Sequence, residues 1–507
     1  MRKKSFFLIA ASLLFVSCAR KEAPQERIMA RVGDRVITER EFLERAEYTI
    51  RPPYAKMDYY VHKKIILNSL IAEALLARDR GESTELARNE RFRLFIQGQK
   101  EQAMRQMFYR RHFYEPIKLD PQEVRRVYDL AARTYEIRYL STKNKAVNDL
   151  LVQKVIHEKQ PFEETARKIF GIDRLPTRKV EFAGEEIHQV KQALYEQPIK
   201  PGQTIGPLQI DNEFLWLVVD GWTEKIDLNT HAVQNRSRDV TEHLTFKYAE
   251  QAFRSYVVKL MKGKKVEFNP ETFVELVNLL GPIYFPPGEQ KEMVMKKLMW
   301  GKSGGDDLPI DSLSLRLQNW KDRPLLKVDG EVWTIGDLDR ELLLHPLHFR
   351  KRRMAKNEFA EQLKLALVDI IRDKYITRQA YREGFDKHPY VQQRAAMWRD
   401  AYLAEAARNE YLVALGKLDE FPARYLSIIE QDLNPLIDSL QTKYSPLIEI
   451  NTHLLESIQL TRIDLFAVYT DQPYAMVVPP FPMLTTDSQL NYGKKLTADK
   501  KRSLFKK

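Results

Sequence analysis

The feature that most restricts the fold is a short pattern that occurs twice, once in each half of the chain. Residues 30–38 (ARVGDRVIT) and 326–334 (LKVDGEVWT) each place two short β-branched runs around a two-residue turn. The turn is Gly33-Asp34 in the first copy and Asp329-Gly330 in the second, a composition typical of tight β-hairpins. The sequence therefore predicts two related hairpins.

Each predicted hairpin leads directly into a predicted helix. Thr38 is followed three residues later by Glu41, and Thr334 is followed by Asp337. A threonine and an acidic residue at this spacing can form a capping box, in which each side chain bonds the other residue's backbone N–H. Both hairpins are therefore expected to end in a capped helix.

Two further helices are predicted after each hairpin. In both copies apolar residues recur at helical spacing, and a glycine, Gly81 or Gly384, follows them. A glycine in that place commonly caps the C-terminus of a helix. Longer helices are predicted over residues 84–113 and 388–414.

A shorter motif ends each half. Residues 265–270 (KVEFNP) and 447–452 (LIEINT) are brief extended runs that finish at an asparagine, a residue that favours helix N-termini. Each half is therefore expected to carry its own closing element, and only the first half has an insert.

The predicted segments are a signal at 1–18, an N-terminal helical segment at 28–133, the insert at 134–223, a closing element of the first half at 224–300, a flexible junction at 301–307, a second helical module at 325–459 and a C-terminal extension at 460–507.

Cys18 is the only cysteine in 507 residues, and it follows a short export-like segment. Arg2, Lys3 and Lys4 precede eleven mostly apolar residues, and Ser17 stands before the cysteine. An acylated Cys18 would anchor the mature chain to a membrane by lipid, facing the periplasm. Ala19, in place of an aspartate, favours the outer membrane over the inner one. The alternative is an ordinary cleaved secretory signal, and in either case no disulfide framework is available.

The composition predicts a globular α+β protein that is mainly α. Charged residues make up 30% of the chain, and only 19 residues are glycine. The formal net charge is +12, of which three positive charges lie in the predicted signal. A basic surface attracts acidic polypeptide or anionic lipid, whereas export argues against nucleic acid as a partner. The scattered histidines and the single cysteine give little support for a metal site, and no cofactor is expected.

The order of these motifs resembles the SurA, PrsA and PpiD family of extracytoplasmic folding factors. The strings VGDRVITEREF, SLIAEALLARDRG and KVEFNPE carry the resemblance, and VDGEVWT and DIIRDKYITRQAYREG repeat it. The resemblance implies a helical chaperone domain, present in two related copies, with one inserted parvulin-like prolyl isomerase domain.

Residues 134–223 are similar to a parvulin domain. They offer a first strand at 135–140, an FxExA helix at 161–168, a KPGxxxGP turn at 200–207 and a last strand at 214–219. Active parvulins carry two catalytic-site histidines. The corresponding positions in this chain hold Tyr139 and Trp216 instead. The resemblance therefore implies no catalytic residue, and these two side chains are expected to fill the pocket without polarising a prolyl bond.

Apolar residues on the long helices are the candidate client-binding residues. They are Met104, Met107, Phe108, Met397 and Trp398. Flexible, polarizable methionines suit promiscuous contacts with unfolded segments. The alternative is that these residues form a core that joins the two halves.

The sequence as a whole predicts a membrane-anchored periplasmic chaperone that binds unfolded exported or outer-membrane proteins. The helical halves are expected to carry most of the binding. One alternative is an active peptidyl-prolyl isomerase. Another is a dedicated structural lipoprotein of an envelope assembly, suggested by residues 460–507, which have no counterpart in the first half.

Overall fold

The computed structural model describes a mainly helical α+β protein with small sheets. The described residues are 26–184, 187–210, 213–226, 229–285, 317–345, 347–351, 354–461, 465 and 473–496. The predicted signal with Cys18 and the predicted junction at 301–307 lie outside these residues. No helix among the described residues is long and apolar enough to cross a membrane.

The described residues contain eleven strands and sixteen α-helices. The strands are β1 (Ile28–Val32), β2 (Arg35–Thr38), β3 (Arg133–Thr142), β4 (Thr177–Glu181), β5 (Thr204–Ile210), β6 (Glu213–Glu224), β7 (Val266–Phe268), β8 (Pro324–Val328), β9 (Glu331–Thr334), β10 (Ile448–Ile450) and β11 (Lys494–Lys495). The helices are α1 (Glu39–Glu47), α2 (Tyr60–Asp79), α3 (Glu85–Arg88), α4 (Glu90–Tyr109), α5 (Pro121–Leu130), α6 (Lys145–Leu151), α7 (Phe162–Phe170), α8 (His188–Tyr195), α9 (Thr230–Met261), α10 (Pro270–Tyr284), α11 (Ile335–Leu344), α12 (Phe359–Arg382), α13 (Pro389–Ala414), α14 (Phe421–Ile428), α15 (Asn434–Tyr444) and α16 (Thr452–Ser457).

Both predicted hairpins are confirmed. β1 pairs with β2 and β8 pairs with β9, each in antiparallel register around the predicted turn. Gly33 has a φ of +61°, and Asp329 and Gly330 have φ values of +49° and +90°. Turns with positive φ match the twist of the flanking strands, which is why Gly and Asp occupy them.

The predicted helix caps form in both copies, but only one is a complete capping box. The Thr334 hydroxyl accepts from the Asp337 N–H at 3.2 Å, and the Asp337 carboxylate accepts from the Thr334 N–H at 2.8 Å. The Thr38 hydroxyl likewise accepts from the Glu41 N–H at 3.2 Å. The Glu41 carboxylate instead binds the Arg35 guanidinium.

Each half ends in the predicted short strand and asparagine-capped helix, but each strand pairs with the hairpin of the other half. β7, which ends the first half, pairs antiparallel with β8 of the second hairpin, and Phe268 stands opposite Leu326. β10, which ends the second half, pairs with β1 of the first hairpin. The two hairpins expose similar edges, so the local sequence of a closing strand does not determine which hairpin it pairs with. The pairing depends on which hairpin edge the packing of the helices brings close to that strand.

The two predicted glycine caps differ. Gly384 has a φ of +75° just after α12, as a C-terminal cap requires. Gly81 follows Arg80, the C-cap of α2, without a positive φ, and it packs against α13 instead. A Cβ at residue 81 would lie 2.8 Å from the Leu403 Cβ, so glycine allows a close approach there. The predicted helix over 84–113 is also divided, because the Asn89 side chain caps a new helix, α4.

The insert forms one antiparallel sheet with strand order β4-β3-β6-β5. Helices α6 and α7 cover one face, where Leu151, Phe162 and Trp216 are buried. The other face buries Tyr135 and Val190 against Val240 of α9. Further along α9, Phe253 packs in a cluster with Phe108 and with other residues of the helices outside the insert. We call the helices outside the insert the helical body. The long helix α9 thus fixes the insert to the helical body.

Candidate functional site

A cleft of about 700 Å³ lies between the insert and the helical body. It is bounded by residues after β4, by α8 and α9 on one side, and by α4 and its π-helical continuation (Arg110–Tyr114) on the other. The lining residues are Phe182, Ala183, His188 and Lys191 of the insert, Asp239, Glu242, His243 and Phe246 of α9, and Arg40, Gln106, Met107, Tyr109, Arg110, Tyr114, Tyr390, Tyr474 and Met476.

Aromatic rings and methionines give the cleft much of its apolar surface. The Tyr109 ring packs edge-on against Phe253, with 5.3 Å between ring centroids, and Phe253 packs in turn against Tyr474 at 6.0 Å. Burial raises the pKa of Tyr390 to about 12, and burial also raises the pKa of Tyr109. These phenols are therefore neutral at physiological pH and present apolar rings with a polar tip.

Charged groups of both signs stand at the cleft. Arg40, Arg110 and Lys191 are cationic, and Asp239 and Glu242 are anionic. Arg110 Nε lies 3.1 Å from Glu115 Oε1, and both side chains are more than half exposed. This ion pair is therefore weak and easily exchanged. The cleft can therefore meet a polypeptide segment of either charge at its rim.

A histidine pair joins the insert to α9 at the edge of the cleft. The ring centroids of His188 and His243 are 4.6 Å apart. His243 Nε2 lies 3.2 Å from Glu196 Oε1, and Lys247 Nζ donates to Glu196 Oε2 at 2.5 Å. Burial, reinforced by His243, lowers the pKa of His188 to about 4. His188 is therefore neutral at pH 7, and the cluster serves as a buried polar joint.

The structure does not bring the two parvulin histidine positions together. Tyr139 pairs with Leu217, and Leu140 pairs with Trp216, so Tyr139 and Trp216 point to opposite faces of the sheet. The Trp216 side chain is fully buried, stacks on Phe162 at 5.4 Å and donates to the Asn148 side chain at 3.0 Å. The expectation that both side chains fill one pocket is wrong, because neighbouring positions on paired strands alternate between faces.

Four of the five candidate client-binding residues are core residues. Met104, Phe108, Met397 and Trp398 are at most 6% exposed. Met104 and Phe108 pack with Phe385 of the second half, and Trp398 packs edge-on against Phe95 at 5.8 Å. These four residues therefore join the halves and cannot touch a client, whereas Met107 lines the cleft.

Sequence reasoning missed most of the cleft. Tyr390, Tyr474, Phe246 and His243 come from distant parts of the chain and share no motif. The sequence pointed to one cleft residue, Met107, as a candidate client-binding residue. The other cleft residues carried no such signal. Their assembly depends on the docking of α9 and the insert, which no local pattern encodes.

No known family model, curated protein or solved structure matches this chain. Among the described residues, no group of three or more His, Cys, Asp or Glu side chains could hold a metal ion.

Proposed function

We propose that this protein is a membrane-anchored periplasmic chaperone, similar in type to the SurA and PrsA folding factors, that holds unfolded exported or outer-membrane proteins. The observation that carries the proposal is the cleft between the insert and the helical body, with its aromatic rings, methionines and charges of both signs. Lipidation of Cys18 supplies the anchor in this proposal.

The dimensions and chemistry of the cleft suit weak binding of varied segments. Its volume of about 700 Å³ is in the range of sites that enclose a drug-sized group or a few side chains. Met107 and Met476 can repack around different partners because their side chains are flexible. Opposite charges at the rim add favourable contacts without fixing one sequence.

The insert acts as a binding wall in this proposal. Phe182 and Lys191 of the insert face the cleft, so client binding depends on the insert as well as on the helical halves. The earlier expectation that the helical halves alone carry most of the binding changes accordingly. Because Tyr139 and Trp216 lie on opposite faces of the sheet, the insert is expected to isomerise prolyl bonds at close to the background rate.

The test is suppression of aggregation by the soluble form that begins at Ala19. An unfolded outer-membrane protein is diluted from urea, and light scattering is followed with increasing amounts of the chaperone. The Met107→Ser/Tyr114→Ser variant removes two partly buried cleft contacts and is expected to lose at least half of the suppression. A prolyl-isomerisation assay on a short peptide is run beside it.

The matched control is Tyr59→Ser/Val61→Ser. Tyr59 and Val61 are 59% and 50% exposed and lie outside the cleft, so this variant is expected to behave like the unmodified chain. Equal suppression by the cleft variant, or no suppression by the unmodified chain, contradicts the proposal. Robust isomerisation without suppression favours the enzyme alternative.

A further inference from the structure

Residues 473–487, which we call the C-terminal strap, cross the helical body without forming helix or strand. The strap contains the sequence PYAMVVPPFPMLTTD. An extended chain leaves its backbone carbonyls without the partners that a helix or sheet supplies, and each buried carbonyl needs a donor. The partners of the strap therefore reveal what kind of surface lies beneath it.

Side chains of the helical body donate to the strap's backbone carbonyls in sequence along its length. The contacts are Gln106 Nε2 to Ala475 O at 3.0 Å, Arg394 to Val477 O, Arg45 Nη2 to Pro480 O at 3.0 Å, Ser69 Oγ to Thr485 O at 3.5 Å and Asn68 Nδ2 to Asp487 O at 2.8 Å. These donors bind groups that every polypeptide has. They therefore recognise an extended backbone and not a particular sequence.

The two arginines are held in place by the body itself. Arg45 donates to both carboxylate oxygens of Glu73, at 2.7 and 2.8 Å, and Arg394 donates to Glu44 at 2.7 Å. Bidentate and buried pairs of this kind fix the orientation of a guanidinium. Because these carboxylates belong to the helical body, the two guanidiniums keep their orientation independently of the strap. We call the site beneath the strap, where the five donors lie, the groove.

Apolar side chains anchor the strap between these polar contacts. Phe481, Met483 and Leu484 are at most 6% exposed and belong to the main core cluster. The Phe481 ring packs edge-on against Tyr54 at 6.4 Å, and Met483 accepts from the Tyr54 hydroxyl at 3.6 Å. Val477, in contrast, is 40% exposed.

We propose that this groove is a binding site for extended polypeptide, which it recognises through the backbone carbonyls. The strap then occupies the groove in the place of a client segment. The inference rests on the proposed chaperone function. Tyr474 and Met476 of the strap also line the cleft, and Gln106 contributes to both. Displacement of the strap would therefore join the groove to the cleft as one longer client site.

Because the strap belongs to the same chain as the groove, it competes with clients at a high effective concentration. Only segments that supply several contacts at once displace it. This competition gives release without a nucleotide, because the strap returns when the client folds and withdraws its extended backbone.

The test measures binding of a fluorescein-labelled peptide of residues 473–488 to the full soluble chain by anisotropy. Phe481→Ala in the chain weakens the internal competitor and leaves the groove donors intact, so the probe is expected to bind about tenfold more tightly or better than to the unmodified chain. A peptide that itself carries Phe481→Ala is expected to bind about tenfold more weakly. Val477→Ala is the matched control and is expected to leave binding unchanged.

Circular dichroism establishes that each variant is folded, and Met483→Ala replaces Phe481→Ala if that variant is not. Equal probe binding by a folded strap variant and the unmodified chain overturns the inference, as does an equal gain with Val477→Ala. Aggregation suppression by the unmodified chain is recorded in the same series and reports the proposed function separately. Suppression without strap-dependent probe binding removes the groove inference alone.

Discussion

Ala30 of the first hairpin pairs with Ile450, near the other end of the chain, and the antiparallel register continues to Val32 and Ile448. The reciprocal contact pairs Val266 of the first half with Val328 of the second hairpin. Each of these two sheets thus contains strands from both halves of the chain. The halves are interlocked through their closing strands and do not form two independently closed modules.

The strand exchange predicts that damage near the C-terminus loosens the N-terminal hairpin. Ile450→Ala removes a side chain that is 2% exposed and should cost about 2–5 kcal/mol of unfolding free energy. Hydrogen exchange measured by mass spectrometry should speed up at residues 28–32 and not at 324–328. Leu447→Ala is the control, because Leu447 is 42% exposed. Faster exchange at 324–328 instead would contradict the pairing.

The buried pair of Arg45 and Glu73 predicts a strong double-mutant coupling. The two side chains are 0% and 4% exposed and lie 2.7 Å apart. Arg45→Met alone should destabilise the protein by about 3–5 kcal/mol, because it leaves the Glu73 carboxylate buried without its partner. Adding Glu73→Leu should recover much of this loss. Urea unfolding of both single variants and the double variant measures the coupling, and simple additivity would show that the pair is not coupled.

The lowered pKa of His188 predicts that acid weakens the protein. The unfolded chain binds a proton at His188 near pH 6.5, whereas the folded protein does so only near pH 4. The unfolded state therefore binds more protons in this window, and stability falls as the pH drops from about 6.5 to 4. The groups that face His188 are His243, Glu196, Lys247 and Lys191.

His188→Gln should remove roughly 1–2 kcal/mol of this pH dependence, a figure reduced for the partial exposure of the ring. The measurement is unfolding free energy at pH 7 and at pH 4.5 for the variant and the unmodified chain. His157→Gln, an exposed histidine on the same insert, is the control. An identical pH dependence in His188→Gln would exclude His188 as its source.

The proposed lipidation of Cys18 predicts that Cys18→Ser abolishes membrane anchoring. Each buried acyl methylene contributes about 0.8 kcal/mol to membrane affinity, so the lipid carries the attachment. The variant should be soluble or remain unprocessed, as judged by fractionation after a carbonate wash. Unchanged retention in the membrane fraction would defeat the lipoprotein prediction.

Local sequence determined the pieces of this protein. The turn at Gly33-Asp34, the cap at Thr334 and the asparagine cap at Asn269 all form as the sequence predicts. Each depends on residues within about four positions of one another, where the backbone geometry of a turn or helix end selects the residue type. The pattern of apolar positions likewise placed the main helices.

Only the tertiary structure decided how the pieces meet. The sequence could not show that Ile450 pairs with Ala30, or that Gly81 allows the close approach of Leu403. It also could not show that Trp398 lies in the core while Met107 lines the cleft. Exposed edges and apolar faces are alike in the two halves, so several pairings satisfy the local rules equally. The choice among them depends on burial and hydrogen bonding summed over residues that are far apart in the chain.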